Sequence, residues 1–206
     1  MSLTGKRVLI TAGPTWVAID RVRVISNTAT GETGILLAKE FLKRGARVTL
    51  LLGPAGACCL PGNLRVINFK FFPELRKLVR KELGSRKYDI IIHSAAVADF
   101  KPGHAAKGKL DSCRPRSLKL VPLPKIIGEM RKLAPQAKLV MFKLECGVSD
   151  ATLIRRAQKA HRKNRAQFAV ANRLNPYRAF IIDKENNITR TRSKAGLAGK
   201  LVKVIY

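Results

Sequence analysis

Residues 8–34 read VLITAGPTWVAIDRVRVISNTATGETG, a strand, a long loop and a helix start in one stretch. Val8, Leu9 and Ile10 form a short apolar run of the buried-strand type, and Gly13-Pro14 ends it. A loop rich in Gly, Thr and Asn follows. The helical pattern after Gly31 then sets Ile35, Leu36, Ala38, Phe41 and Leu42 on one stripe until Arg44-Gly45 stops it. Strand, loop and helix in that order gather free backbone N–H groups and the positive end of a helix dipole, an arrangement that holds anions. Gly13, Gly31 and Gly34 stand too far apart for the dinucleotide fingerprint, and no G-K-[ST] marks a P-loop. On residues alone, an ordinary α/β connection remains the alternative.

Strand-like runs recur at 48–52, 64–69, 88–93, 139–142 and 168–171, with helical patterns at 32–43, 73–83, 124–133 and 150–164. This alternation predicts a doubly wound, mostly parallel Rossmann-like α/β sheet with helices on both faces. Ile90-Ile91-Ile92 suits a central strand buried on both sides. After Asn172 the pattern changes to a C-terminal β-hairpin over 178–191, turning at Asn186-Asn187, and a closing helix over 194–202. Ligands of such sheets sit beyond the carboxyl ends of the strands. There the loop after the first strand, residues 94–109, and Asn172 converge on one crevice. Residues 101–116, with Gly103 and Gly108 and little apolar content, read as a flap over it, or else as a solvated surface loop.

The 206 residues, 46% of them apolar, suit one domain spanning 1–206 with a substantial core. No apolar run has the length of a membrane span and no leader opens the chain, so a soluble cytoplasmic protein is expected. The four cysteines, with Cys58-Cys59 adjacent and Cys113 and Cys146 alone, lack zinc spacing and read as buried or incidental thiols. Lys and Arg number 41 against 13 Asp and Glu, a formal net charge of +28. That is far beyond the handful of cations a pocket for anions needs. Clusters such as Arg80-Lys81, Arg155-Arg156 and Arg162-Lys163 occupy helix faces without the acidic i,i+4 partners of ordinary amphipathic helices. Such a surface binds polyanions without sequence preference. Three accounts of it are open: a nucleic-acid binder, which would ordinarily add aromatic platforms that are scarce here; a naturally basic enzyme; and deliberate cationisation of an enzyme scaffold.

The loop closely resembles the phosphopantothenoylcysteine synthetases (phosphopantothenate-cysteine ligases), whose pattern runs roughly TAGPTREPIDPVRFISNxSSGxMG. The likeness continues through HSAAVADF (93–100), Gly108-Lys109-Leu110, PLPKII (122–127), FKLE (142–145) and 159–172, in order over nearly the whole chain. The resemblance implies a ligase of coenzyme A biosynthesis. Such a ligase joins 4′-phosphopantothenate to L-cysteine through an acyl-nucleotide, using CTP or ATP with Mg²⁺. It further implies a homodimer, with the 178–191 hairpin as a contributor to pairing. Since the family's usual flavin-dependent decarboxylase partner has no room in 206 residues, a standalone ligase is expected.

Residue by residue, the resemblance makes Lys109 the flap cation that meets phosphate charge on closure, with Lys107 a possible substitute, and makes Asn27 the amide that handles the acyl intermediate. Asp20, Arg23, Asn27 and Asn172 fall at positions for phosphopantothenate, and Arg23 suits its phosphate. Gly13, Ala95, Asp99, the Pro124, Lys125, Ile126 and Ile127 stretch, and Phe142 match nucleotide-pocket positions. Lys159 and Lys163 match a triphosphate-directed pair on one helix face. The residues themselves leave other roles open: Asn27 as a turn former, Asp99 as a cap, Phe142 as core. No metal ligands are identified. The chain departs from the pattern at Trp16-Val17-Ala18, where Arg-Glu-Pro is common, at Arg21 and Val24, and at Glu32, an acid where many relatives carry a base. Trp16 and Val17, together with Cys58-Cys59-Leu60, are candidates for exposed apolar patches that would support a higher assembly. A cationised scaffold or assembly subunit that gathers nucleic acid is the alternative to the ligase.

Overall fold

The computed structural model of the chain describes residues 2–54 and 60–206. Cys58 and Cys59 lie outside the described residues, whereas Cys113 and Cys146 are free and exposed. In chain order the elements are β1 (Arg7–Ala12), β2 (Trp16–Ala18), β3 (Val24–Ser26), α1 (Glu32–Lys43), β4 (Arg47–Leu52), β5 (Arg65–Asn68), α2 (Phe72–Ser85), β6 (Ile90–His93), β7 (Phe100–Pro102), β8 (Leu120–Pro122), α3 (Ile126–Leu133), β9 (Lys138–Leu144), α4 (Asp150–Lys163), β10 (Phe168–Arg173), β11 (Arg178–Asp183), β12 (Ile188–Thr191) and α5 (Lys194–Ile205).

Eight strands form one sheet in the order β12-β11-β10-β9-β6-β1-β4-β5. The six from β5 to β10 pair in parallel, and β11 and β12 continue antiparallel. The strand order reverses at β1, which pairs with both β4 and β6, and this is the topological switch point of the doubly wound arrangement. Alternating residues of β1 feed two cores. Val8 and Ile10 face α1 and α5, whereas Leu9 faces α2, α3 and α4. Ile90, Ile91 and Ile92 of β6 are buried on both sides, as the unbroken apolar run requires.

Gly34 fixes how tightly α1 docks. A Cβ there would lie 2.4 Å from the Cβ of Ala12 and 2.9 Å from Ser94 Oγ, so the helix start approaches the ends of β1 and β6 only because that side chain is missing.

Two small ribbons, β2-β3 and β7-β8, stand outside the main sheet. β7 takes in Lys101 and Pro102, so the connecting segment is 103–119 rather than 101–116.

At the amino edge of the sheet, Glu82 is buried. It receives both Arg65 guanidinium N–H groups, at 2.7 and 2.9 Å, and the Tyr88 hydroxyl at 2.5 Å. The Arg65 bonds lead the forces that hold this carboxyl down at about 2. A carboxylate with a depressed folded pKa adds stability that is complete above its ordinary value and is lost as pH falls toward the folded one. The contribution of Glu82 is therefore whole at neutral pH and fades from about 4.5 toward 2. Glu82→Gln is expected to cost about 2 kcal/mol, since Arg65 stays partly solvated when its partner is neutralised. Thermal unfolding at pH 7 should drop by about 4–8 °C and the deficit should shrink below pH 4; an unchanged midpoint at pH 7 would contradict this.

Candidate functional site

The crevice lies beyond the carboxyl ends of β1 and β6. Thr11 and His93, which end the paired run, are joined Oγ1 to Nδ1 at 2.8 Å. Burial holds the His93 ring down at about 4, so it is neutral at physiological pH. The same Thr11 hydroxyl takes the Ala95 N–H at 3.3 Å, and the Thr11 carbonyl takes the Ser94 hydroxyl at 2.7 Å. Further out, Ala96 N–H donates to Gly13 O at 2.9 Å, and Ala98 N–H donates to the buried Thr15 hydroxyl at 2.9 Å. The loops after the two strands are thereby stitched together. Gly13 has φ +80°, and a Cβ on it would meet the Gly53 backbone at 3.1 Å, so this turn needs glycine twice over.

Asn27 is seated on the same frame: its Nδ2 donates to the Ala96 carbonyl at 2.9 Å. Gly31, with φ 78°, and Glu32 open α1 beside it, and Glu32 is ion-paired with Lys194 at the start of α5. The acid that departs from the common pattern is thus neutralised by a cation from a distant part of the chain.

Asp20 and Arg23 form a clamp. The buried Asp20 carboxylate accepts from the backbone N–H groups of Val22 and Arg23, both at 2.7 Å, and of Leu110 at 3.0 Å. The Leu110 bond leads the causes that hold Asp20 down at about 2. Arg23 Nη1 contacts Asp20 at 3.2 Å and donates to the Leu110 carbonyl at 3.1 Å. Leu110 is therefore held by both its N–H and its C=O, and Ala106 N–H adds a bond to Ile19 O at 3.0 Å. Lys109, next in the chain, is exposed and makes no ion pair among the described residues. The resemblance implies only ligand contacts for Asp20 and Arg23; their hold on Leu110, 90 and 87 positions away, carries no local signal.

On the other side of the crevice Asp99 is exposed, and its carboxylate is ion-paired with Lys125, the residue that caps α3. Pro124 and Lys125 precede the helix, Ile126 is buried in the core beneath it, and Ile127 packs against the same core. Ala95 packs there too, from the loop after β6. Asn172 and Phe142 lie near the carboxyl ends of β10 and β9, with Phe142 packed on the α1 and α5 side.

The structure does not bring Lys159 and Lys163 into this group. Both are exposed on the second half of α4. Because α4 runs back from the carboxyl end of β9 to the amino end of β10, Lys163 lies at the opposite edge of the sheet.

Beside the crevice, a cavity of about 700 Å³ opens between β2, the start of α2 and the β7-β8 ribbon. Trp16, Phe71, Phe72, Pro102 and Pro122 line it, and Arg76, Lys77 and Arg80 edge it. Trp16 packs edge-on to Phe71 at 5.9 Å, and Val17 is buried at 6% exposure. This corrects the expectation of an exposed patch at Trp16-Val17: Phe71, the residue before α2, supplies the partner that the sequence does not reveal.

Among the described residues, no three His, Cys, Asp or Glu side chains gather as a metal site, and no helix is long and apolar enough to cross a membrane.

Residues 3–203 match the family model described as the DNA/pantothenate metabolism flavoprotein C-terminal domain. A relative named coenzyme A biosynthesis bifunctional protein CoaBC, from Thermococcus kodakarensis, is 38% identical over 176 residues, covering 85% of this chain and 43% of the relative. The chain spans about half the length of the curated relatives it matches. Among solved structures, the DNA/pantothenate metabolism flavoprotein of Streptococcus pneumoniae superposes with a TM-score of 0.87 at 27% identity, covering 98% of each chain. The C-terminal domain of a CoaBC protein superposes with a TM-score of 0.83 at 26% identity, covering 98% of this chain and 95% of that one.

Proposed function

From a chain that belongs to the DNA/pantothenate metabolism flavoprotein C-terminal domain family, we infer a ligase of coenzyme A biosynthesis that joins 4′-phosphopantothenate to L-cysteine through an acyl-nucleotide. One observation carries this reading. The loop that bears Asn27 also bears Asp20 and Arg23, so a single segment seats an amide in the crevice and positions the flap cation Lys109.

Both chemical steps concentrate negative charge: a carboxylate attacks the α-phosphate of CTP or ATP, pyrophosphate leaves, and the cysteine amine then displaces the nucleoside monophosphate. Catalysis is therefore mainly positioning and electrostatic stabilisation. Segment 103–119 serves as the flap, hinged where Leu110 is clamped, and Lys109 meets phosphate charge when it closes. Asn27 neither titrates nor adds charge, and it offers a carbonyl oxygen to the incoming amine. Asp99 and the start of α3 face the nucleotide. Mg²⁺ would offset part of the triphosphate's charge; among the described residues no three His, Cys, Asp or Glu side chains gather to hold it on their own.

The protein acts as a homodimer in this reading. Val22, Val24, Phe100, Leu118 and Leu120 are exposed on or beside the two ribbons, while the β11-β12 hairpin shows Ile188. The ribbons therefore suit the pairing surface better than the hairpin does. Incubation with phosphopantothenate, cysteine, CTP or ATP and Mg²⁺ should yield the amide product by mass spectrometry. Its absence with both nucleotides, from a folded protein, would overturn the ligase.

A further inference from the structure

With 41 Lys and Arg against 13 Asp and Glu, many cations have no acidic partner among the described residues. The sheet face covered by α2, α3 and α4 ends, at the hairpin, in a surface built from α4 and β12. Leu153, Ala157 and His161 turn toward the sheet and are buried, which leaves Arg155 and Arg162, two helical turns apart, on the outer side of α4. Across a cavity of about 290 Å³, Arg190 and Arg192 border the first turns of the same helix. Arg190 pairs in register with Phe180, a member of the core on the α4 side, so its side chain rises on that side of the sheet.

No carboxylate among the described residues pairs with Arg155, Arg162, Arg190 or Arg192. The nearby acids are already engaged: Asp150 with Arg173 and Arg178, Glu145 with Lys143 and Arg156, Asp183 with Asn187, and Glu185 with Lys184.

We propose that the α4-β12 surface is a sequence-blind binding site for the phosphodiester backbone of RNA. Guanidinium groups that no carboxylate among the described residues pairs suit phosphates, and such a contact draws its affinity from counterion release. The chemistry of the same surface disfavours two other occupants. The outer side of α4, with Ala151, Arg155, Gln158 and Arg162, offers no large apolar side chain to insert into a bilayer, as a membrane-surface helix does. Apart from Ile188 at the start of β12, the surface also lacks the aromatic and aliphatic anchors on which protein partners depend. The proposal stands independently of the ligase reading.

The test is fluorescence anisotropy of a labelled random-sequence RNA with the full chain over a salt series. It compares the wild type with two variants that remove equal charge. One carries Arg155→Gln, Arg162→Gln, Arg190→Gln and Arg192→Gln; the other carries Lys39→Gln, Lys43→Gln, Arg47→Gln and Lys203→Gln, elsewhere on the molecule. Lys159 and Lys163 are left in place in both variants, and neither variant touches a residue of the crevice. The first variant should lose about tenfold or more in affinity, with its log–log salt slope shallower by about 3, the loss of roughly four phosphate contacts on a single strand. The second should stay within about twofold. Equal losses in both variants would overturn the site in favour of diffuse net charge. So would the absence of RNA binding at low salt, or binding of phosphatidylserine vesicles in its place. Circular dichroism of both variants guards against misfolding, and single substitutions at Arg155 and Arg190, each expected to lower affinity and salt slope, keep the test open if the fourfold variant does not fold.

Discussion

Replacing Lys109 by alanine is expected to lower turnover by about 10²–10³-fold, the scale of removing one preorganised stabiliser of transition-state charge, and to leave thermal unfolding unchanged. The two halves of this expectation have separate causes. The Lys109 side chain is exposed and makes no ion pair among the described residues, so its loss should leave the fold unchanged. Its backbone neighbour Leu110, by contrast, is fixed by Asp20 and Arg23, so the ammonium is delivered to a defined place when substrate arrives. Losing the cation should therefore act mainly on kcat, with little change in the binding of phosphopantothenate. Steady-state kinetics beside a melting curve check this. Turnover like that of the wild type would remove Lys109 from the chemistry and point to Lys107, two residues earlier on the same segment.

The second large effect is expected from Asn27→Asp. The Asn27 amide donates to the Ala96 carbonyl at 2.9 Å, and that bond sets where its oxygen sits. An aspartate loses the donor, sets one oxygen against another, and adds a negative charge beside an anionic acyl-nucleotide. Amide formation needs the acyl group held still for the amine, so it should suffer more than activation of the carboxylate. Acyl-nucleotide should then accumulate in acid-quenched reactions, with overall turnover down by about 10²-fold. Equal slowing of both steps with no accumulation would mean that Asn27 only shapes the loop, the turn-former role that its residue type also allows.

Much of this arrangement is legible in the sequence, and what escapes it does so for physical reasons. Five of the six parallel strands announce themselves because burial on both faces demands apolar runs, as in Ile90-Ile91-Ile92, while the edge strand β5 is half exposed. The β2-β3 and β7-β8 ribbons give no such signal: each strand has three residues, and Pro102 and Pro122 argue against pairing except at an edge. The crevice loops are marked by Gly13, Asn27 and Gly31, whose backbone demands are local. The clamp of Asp20 on Leu110 is not marked, because the two are brought together only by the fold. The spacing of Lys159 and Lys163 correctly places them on one face of a helix, but spacing cannot tell which end of the sheet that stretch of helix reaches. The ion pair of Glu32 with Lys194 has the same origin: an acid at the start of α1 departs from the family's pattern, and its compensation lies in another helix.

In the proposed reaction, one crevice activates phosphopantothenate with a nucleotide before cysteine reacts. The most direct measurement is pyrophosphate release in a single turnover with nucleotide and Mg²⁺, with phosphopantothenate present or omitted and cysteine left out of both. Release should require phosphopantothenate and proceed without cysteine. Pyrophosphate formed without phosphopantothenate, or none formed until cysteine is added, would contradict it.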